Sequence, residues 1–344
     1  MSPQEPTTER PHLAGVVEDR WNAALAKVLA RRGWRHLVLP HVGYGGAGFL
    51  RVFARVVYAP AGTRPPGTDA ALQRRGWRNF LTAEALGVPI TVTVGGERHE
   101  AVTDRSGNLD VRLPNPGLGP GWHQVTVETA VSVAAPARVL VVDESVEFGI
   151  VSDIDDTVLR TLLPRPLLAA YHTLVLQEQA RSPVPGMAHL YAEILDAHPG
   201  APTVYVSTGA WNTAGTLRRF LARNGFPEGP LLLTDWGPTN TGWFRSGRDH
   251  KRGCLRDLAA DFPRIQWLLV GDDGQNDPAI YGEFARAHPD RVRAIAIREL
   301  SLGQQVLAHG TPIPRAGVPD DGPGVPEVRG PDGVALAERL RPPL

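Results

Sequence analysis

A short apolar run that ends in carboxylates constrains this chain more than any other segment. Val146–Ser152 is largely hydrophobic and β-prone, and Asp153, Asp155, Asp156 and Thr157 follow it directly. A buried parallel strand reads as a continuous hydrophobic run, and ligands of open α/β sheets bind at the carboxyl ends of such strands. Close carboxylates repel one another in a low dielectric, so a fold keeps them together with a cation or a shared proton. The run predicts a strand whose end binds Mg²⁺, and the alternative is a solvated acidic turn.

A second run of this kind ends in hydroxyl groups. Ala201–Val206 is short and β-branched, and it closes on Ser207, Thr208 and Gly209, with Trp211 just beyond. By the same topological rule, the run places hydrogen-bond donors suited to a phosphate at a second strand end.

A third run and the start of a helix complete the set. Ile265–Val270 ends in Gly271 and the acids Asp272 and Asp277, and we expect Gly271 to let the backbone turn sharply before the carboxylates. Between the second and third runs, Lys251 opens an apolar pattern of helical spacing. The pattern predicts that one lysine is presented at a helix start.

In this order, the polar residues resemble the four motifs of the haloacid-dehalogenase-like phosphatases. The motifs are Asp153-x-Asp155-x-Thr157, Ser207, Lys251 and Gly271-Asp272-x-x-x-x-Asp277. The surrounding residues resemble the catalytic domain of the actin-patch-associated phosphatidate phosphatase family over about Glu147 to Leu300. The sequence motifs that carry this resemblance are Asp153-Ile-Asp-Asp-Thr157, Tyr205-Val-Ser207, Asp235-Trp-Gly237 and Asp277-Pro-x-Ile-Tyr281. Upstream, His41–Gly46 and Val102–Gly107 resemble the leader region of bacterial two-domain members.

The resemblance implies a role for each candidate site residue. Asp153 would be the nucleophile that forms an aspartyl-phosphate, and Asp155 would act as general acid and then as general base. Mg²⁺ would be held by Asp153, the backbone carbonyl of Asp155, Asp272 and Asp277, the last through water or by orienting a ligand. The substrate would be bound by Ser207, Thr208, Trp211 and Lys251, with Ser207 and Lys251 on the phosphoryl oxygens.

Neighbouring residues are interpreted as supports. Asp156 and Thr157 are expected to hold their loop by local hydrogen bonds. Asp273 stands where the family carries a serine, and it is interpreted as an exposed acid near the ligands, with altered metal affinity as the alternative. Asn276 stands where a histidine is frequent. For Trp211, a buried structural position is the alternative to a pocket wall.

Length and patterning predict two domains. A chain of 344 residues with 42% hydrophobic content exceeds one typical domain and is able to build substantial cores. Helical spacing, period-two strands and Pro/Gly content predict an amino-terminal helix over 1–35, an antiparallel β-sandwich over 36–143, and a flexible tail over 306–344 with a short helix at 334–340. The resemblance implies a haloacid-dehalogenase-like catalytic domain over 144–305. The fold class is therefore α/β, a Rossmann-like parallel sheet with helices on both faces, preceded by the sandwich.

A largely apolar segment follows the first motif. Leu159–Ser182 precedes the next motif and resembles a small cap, which would close over the site and exclude water. The alternative is an ordinary helix that covers the sheet.

Charge and composition exclude several classes of function. The formal net charge is +0, from 36 basic and 36 acidic residues, so no global field favours nucleic acid. Cys254 is the only cysteine, which excludes an intramolecular disulfide and a cysteine metal cluster. The first residues are polar and acidic and no apolar run reaches membrane-spanning length, so we expect a cytoplasmic protein, with peripheral membrane association left open.

These observations predict a Mg²⁺-dependent phosphomonoester hydrolase, with phosphatidate at a membrane surface as the substrate that the resemblance implies. One alternative is a phosphatase for a soluble, protein or nucleic-acid phosphate. Another is a surface adaptor whose β-sandwich carries the function beside a non-catalytic phosphatase-like domain. The intact motifs argue against the adaptor, since a scaffold has no need of the nucleophile.

Overall fold

The computed structural model describes residues 28–29, 31–63, 83–160, 182–234, 247–274, 276–301, 303–305 and 324–340. The segments predicted as the amino-terminal helix and as the cap lie outside the described residues, except at their ends. The sequence motif Asp235-Trp-Gly237 also lies outside them.

The amino-terminal region forms a β-rich layer. The structure describes nine strands in its sheet: β1 Trp34–Pro40, β2 Gly43–Gly46, β3 Phe49–Pro60, β4 Ala83–Glu84, β5 Pro89–Val94, β6 Glu97–Val102, β7 Asn108–Pro114, β8 Gly121–Glu128 and β9 Ala135–Val141. Their order is β1-β3-β2-β9-β8-β5-β6, and β4 and β7 also pair with β3. The predicted antiparallel β-rich region is confirmed. The pair β2 and β9 departs from it by running parallel.

The second sheet is parallel and positions the candidate site. Within the described residues its strands are β10 Phe148–Ser152, β11 Thr203–Ala210, β12 Leu231–Thr234, β13 Gln266–Asp272, β14 Val292–Arg298 and β15 Glu327–Gly330, in the order β12-β11-β10-β13-β14-β15. Each neighbouring pair is parallel. Counted from β10, the order is 3-2-1-4-5-6, in which the direction of strand addition reverses beside β10. A reversal of this kind leaves a crevice at the carboxyl ends of the strands.

Helices pack against this sheet, as predicted. They are α1 Met187–Ala197, α2 Ala214–Arg223, α3 Gly247–Asp261, α4 Asp277–Ala287 and α5 Gly333–Leu340. Successive residues of a strand point to opposite faces of the sheet, and here they enter two separate buried clusters. Ile150 belongs to the cluster formed with α1, α2 and α5, whereas Val151 belongs to the cluster formed with α3 and α4.

The prediction of a flexible tail is wrong for the part of it that the structure describes. Within 306–344 the structure describes residues 324–340, where β15 extends the parallel sheet beside β14 and α5 buries Leu336 and Leu340 in the core. The sequence did not predict the edge strand β15, because its surroundings are rich in Pro and Gly. Such a strand pairs through main-chain groups and needs little apolar periodicity. The predicted short helix at 334–340 is confirmed by α5.

The β-rich layer packs on the parallel sheet through a shared core. Tyr44, Phe49 and Phe53 belong to the buried cluster that contains α3 and α4. Polar contacts border it: the Tyr44 hydroxyl donates to Asp261 at 2.9 Å, and Arg51 Nη1 donates to Asp257 at 3.2 Å. Arg112 also pairs with Asp261. These contacts attach the β-rich layer to the carboxyl-terminal half of α3, while the domain boundaries at 35, 143 and 305 stay predictions.

A buried histidine lies at the same interface. His41 is 9% exposed, and its ring centroid lies 4.9 Å from that of Trp211. Burial, together with the charges of Arg218 and Arg55, lowers the pKa of His41 to about 3. The folded protein therefore keeps this imidazole neutral, whereas the unfolded chain protonates it near its ordinary pKa of 6.5.

The interface should weaken in mild acid. The unfolded state binds the additional proton, so the contribution of His41 is fully present above about pH 6.5 and is lost as the pH falls below that value. We expect His41→Phe to remove about 2 kcal/mol of the stability lost between pH 7 and pH 5. Chemical denaturation at both pH values measures this difference. His189→Gln, which removes an exposed histidine, should leave the pH dependence of wild type unchanged, and equal pH dependence in all three proteins would contradict the assignment.

Candidate active site

Three buried carboxylates meet at the carboxyl ends of β10 and β13. Asp153 follows β10, Asp272 ends β13, and Asp277 begins α4. Their exposed fractions are 2%, 0% and 0%, and among the described residues one carboxylate oxygen from each lies within 4.8 Å of the others. The pairing of β10 with β13 produces this arrangement, since adjacent parallel strands end at the same edge.

Lys251 is the cation of this cluster. It lies in α3 and is 3% exposed, and its Nζ donates to Asp153 Oδ1 at 2.7 Å and to Asp277 Oδ1 at 2.5 Å. Burial lowers the pKa of Lys251, but the charges of Asp153 and Asp277 outweigh burial and raise it. The lysine therefore stays protonated, and the predicted helix places it against two of the three acids.

The negative charge of the cluster exceeds what Lys251 neutralises. Burial and the neighbouring charges of Asp277 and Asp155 raise the pKa of Asp153 to about 7, despite Lys251. Burial, with Asp277 and Asp153, raises the pKa of Asp272 well above its ordinary range. In the described part of the chain, Asp272 Oδ2 and Asp277 Oδ2 are buried and accept no hydrogen bond. Three carboxylates with two unpaired oxygens fit a bound metal ion, which takes oxygen ligands and supplies the missing positive charge.

Gly271 has a different role from the predicted turn. It lies inside β13, and it is absent from the described residues that have positive φ. A Cβ at this position would lie 2.6 Å from Asp277 Oδ2 and 2.7 Å from the Tyr281 ring. The predicted sharp turn is wrong, because the glycine serves instead to let the carboxylate of Asp277 approach the strand.

Asp155 and Ser207 face each other across β10 and β11. Ser207 Oγ donates to Asp155 Oδ2 at 3.2 Å and accepts a hydrogen bond from the Gly209 backbone N–H at 3.0 Å. Asp155 is half-buried and lies outside the cluster of three carboxylates. The two acids of the first motif thus have different partners: Asp153 contacts Lys251 and Asp155 contacts Ser207.

A small cavity opens beside the lysine. It has a volume of about 250 Å³ and is lined by Thr208, Gly247, Arg248, Lys251, Asn276, Asp277 and Ile280. Thr208 is thereby brought to the site. Trp211 does not line this cavity, since it packs against His41 and lies 5.8 Å from Phe53 between ring centroids.

The supporting residues behave in two ways. Thr157 Oγ1 donates to Asp153 Oδ2 at 3.3 Å, which confirms a local hydrogen bond in the loop. Asp273 is half-buried instead of exposed, and its Oδ1 accepts a hydrogen bond from the Leu300 backbone at 2.8 Å. The interpretation of Asp273 as an exposed acid is therefore wrong.

Two polar residues near the site were missed. The Tyr191 hydroxyl lies 2.6 Å from Ser152 Oγ, directly before Asp153. Arg298 ends β14, and its Nη1 donates to the Asp156 carbonyl at 2.6 Å. The rule that selected the other strand ends applies to Arg298 as well, because Ala294–Ile297 is a further apolar run.

Fold and site together define an α/β domain with a lysine and carboxylate site at the carboxyl ends of its parallel strands. Residues 148–299 match the family model described as phosphatidate phosphatase APP1, catalytic domain. The family-level resemblance predicted from the motifs is therefore confirmed for residues 148–299.

Full-length relatives cover the chain only in part. Phosphatidate phosphatase APP1 of Saccharomyces cerevisiae is 26% identical over 204 residues, which are 57% of this chain and 34% of that protein. An uncharacterized protein of Schizosaccharomyces pombe is 26% identical over 178 residues, which are 52% of this chain and 29% of that protein. The chain thus spans about a third of the length of the curated relatives that it matches.

The similarity of this chain to a solved structure is weak. A carbohydrate acetylesterase from Xanthomonas citri is 12% identical with a TM-score of 0.21, covering 79% of this chain and 74% of that chain. As to membranes, none of the helices that the structure describes combines the length and the apolar character of a transmembrane span.

Neutralising one acid should separate metal binding from folding. Asp272→Asn removes a buried charge, so we expect the variant in EDTA to be as stable as wild type or more stable. Wild type should gain about 2.7 kcal/mol at a Mg²⁺ concentration one hundred times its dissociation constant, and the variant should gain almost nothing. Thermal unfolding with EDTA or Mg²⁺ measures both effects.

Asp273→Asn is the matched control, because its side chain bonds to Leu300 and lies outside the cluster. It should keep the Mg²⁺ response of wild type. A full Mg²⁺ response in Asp272→Asn would remove Asp272 from the ligand set.

Proposed function

We propose that this protein is a Mg²⁺-dependent phosphomonoester hydrolase that acts through an aspartyl-phosphate, with phosphatidate as its substrate. One observation carries the proposal: Lys251 is buried between Asp153 and Asp277, beside Asp272, inside the segment that matches a phosphatase catalytic domain. A buried lysine among acids at strand ends suits the binding of an anionic phosphoryl group next to a metal ion.

The fold supports this proposal in its general layout. The strand order and the two buried clusters support a Rossmann-like sheet with helices on both faces. We further propose that the amino-terminal strands pack as a sandwich.

The metal would be held by Asp153, Asp272, Asp277 and the backbone carbonyl of Asp155. When bound, Mg²⁺ neutralises the charge that otherwise keeps a carboxylate from attacking a phosphoryl group. The residues of the chain supply the other contacts: Ser207, Thr208 and Lys251 bind the phosphoryl oxygens, and Lys251 also orients the Asp153 carboxylate.

The chemical steps follow from the two acids of the first motif. A carboxylate oxygen of Asp153 attacks phosphorus, and the bond from phosphorus to the ester oxygen breaks. Asp155, which Ser207 orients, gives its proton to that leaving oxygen. Asp155 then takes a proton from water, whose oxygen attacks phosphorus, and the bond between phosphorus and Asp153 breaks to release phosphate. Each residue returns to its initial state.

The substrate assignment rests on the similarity to phosphatidate phosphatase APP1 of Saccharomyces cerevisiae and to its catalytic-domain family. The cavity of about 250 Å³ has room for the phosphate of phosphatidate and part of its glycerol. The acyl chains would therefore remain outside the cavity, at a membrane surface. A soluble, protein or nucleic-acid phosphate is the alternative within the same chemistry. An adaptor with a non-catalytic domain is less well supported, because three buried acids and the buried Lys251 lie together at one edge of the parallel sheet. We propose a cytoplasmic enzyme with peripheral membrane contact.

Replacing the nucleophile should abolish turnover without unfolding the protein. Asp153→Asn keeps the shape of the side chain but forms no aspartyl-phosphate, so we expect at least about a thousandfold loss of kcat. Phosphate release and thermal unfolding are measured together. Trp122→Phe, on β8 in the amino-terminal sheet, is the control that should keep full activity. Turnover near wild type in Asp153→Asn would refute the covalent mechanism.

Trapping tests the same intermediate in the wild-type protein. Beryllium fluoride with Mg²⁺ mimics a phosphoryl group on an aspartate, so it should stabilise wild type by a few kcal/mol when it is saturating, roughly the gain expected of a tight ligand. Asp153→Asn should show no gain. An equal gain in both proteins would place the fluoride at another site.

A substrate panel tests phosphatidate directly. Mg²⁺-dependent release of phosphate should be fastest from phosphatidate in phosphatidylcholine vesicles or from its short-chain soluble form, and slower from nucleotide, sugar and phosphopeptide esters. Faster release from any of these soluble esters would assign the alternative substrate class.

A further inference from the structure

Arg298 is a fully buried cation that the proposed chemistry does not use. It is 2% exposed and ends β14, where it pairs with Asp272 of β13 on one side and Gly330 of β15 on the other. Burial lowers the pKa of Arg298, and the nearby acids Asp156, Asp272 and Asp273 counteract that effect. A guanidinium stays charged in proteins, so its burial must be compensated by hydrogen bonds.

Each branch of the guanidinium donates to a different segment. Nη1 donates to the Asp156 carbonyl at 2.6 Å, Nε to the Pro331 carbonyl at 3.2 Å, and Nη2 to Gln304 Oε1 at 3.1 Å. One side chain therefore connects the loop of the first motif, the connection after β14, and the segment between β15 and α5. A lysine cannot reproduce this planar fork, since its donors radiate from one atom.

The contact at Asp156 is made where the loop is strained. Asp156 has φ of +58°, a left-handed conformation that costs energy for a residue other than glycine. It stands between Asp155 and Thr157, whose hydroxyl donates to Asp153. Fixing the carbonyl of Asp156 therefore holds the direction of the chain on which both reacting carboxylates lie.

The segment at the other end of the fork is outside the family match. The match ends at residue 299, whereas Pro331 follows β15, which adds the edge strand to the sheet. The segment is also anchored at the start of α1, because the Gly333 N–H donates to the Pro185 carbonyl at 2.9 Å and a Cβ on Gly333 would lie 2.3 Å from Met187 N. Residues 324–340 thus meet the nucleophile loop through Arg298.

We propose that Arg298 is a positioning residue for the proposed reaction: its guanidinium uses the segment 324–340 as a brace that holds the loop of Asp153 and Asp155 in its reactive conformation. The kcat measurement below rests on the proposed function. The exchange measurement does not.

The first test compares Arg298→Lys with Leu340→Ala. Leu340 is buried in the same segment and is none of the three residues that accept hydrogen bonds from the fork, so its variant reports loss of stability. We expect Arg298→Lys to lower kcat for a soluble phosphomonoester about a hundredfold with KM within a few-fold, as for a misplaced reacting group. Leu340→Ala should keep kcat within about threefold at a comparable loss of Tm. Equal kcat in the two variants would overturn the proposal.

The second test reads the loop itself by hydrogen exchange. The amides of Thr157, Val158 and Leu159 donate to the Ile154 carbonyl. In Arg298→Lys they should exchange at least tenfold faster than in wild type and in Leu340→Ala, and unchanged exchange would overturn the proposal. If wild type hydrolyses no phosphomonoester, the proposed function fails and this measurement still decides the role of Arg298.

A milder variant keeps the proposal testable if Arg298→Lys does not fold. Gln304→Ala removes the acceptor of Nη2 and leaves the other two branches in place. It should give a smaller loss of kcat and a smaller rise in exchange at the same three amides, whereas wild-type values for both would overturn the proposal.

Discussion

The double ion pair of Lys251 is the interaction on which the candidate site depends. A lone ammonium or carboxylate buried at this depth would carry a desolvation penalty of several kcal/mol, and only close partners offset it. Asp153 and Asp277 provide those partners at 2.7 and 2.5 Å. Because the pairing joins the end of β10, the start of α4 and the helix α3, the three elements must meet within hydrogen-bonding distance.

The helix that presents Lys251 is held from both ends. Its first residues lie against Thr208, since a Cβ at Gly247 would be 2.6 Å from the Thr208 methyl group. Its far end accepts the ion pairs and hydrogen bonds from Tyr44, Arg51 and Arg112 of the β-rich layer. The amino-terminal region therefore contributes to the position of the lysine, although it supplies none of the described acids of the cluster.

Much of the site was predictable, because hydrophobic runs locate buried strands and polar residues after them locate the edge where a ligand binds. That reasoning placed Asp153 and Asp272 at neighbouring strand ends and identified the lysine from helical spacing, whereas Ser207 lies inside β11, which continues to Ala210. It could not locate Trp211, whose packing partners His41 and Phe53 are remote in sequence. Nor could it identify the role of Gly271, which depends on the distance of a side chain from another element.

The sequence did not predict the edge strand β15, for a different reason. Four residues carry too little periodicity to stand out from a Pro/Gly-rich stretch, and their pairing with β14 uses main-chain groups. Arg298 stands at a strand end that the same rule covers, but two of its three partners are backbone carbonyls, which the sequence does not reveal.

The late position of β15 and α5 in the chain also sets an order of events during synthesis. A polypeptide leaves the ribosome from its amino terminus, and domains form as their parts become available. The motif residues emerge first, but the buried face that Leu336 and Leu340 cover stays open until residue 340 has emerged. The hydrogen bond from Arg298 to the Pro331 carbonyl also forms late, since Pro331 is synthesised after Arg298. The nascent chain therefore contains Asp153, Lys251 and Asp272 before the contact between Arg298 and Pro331 is able to form.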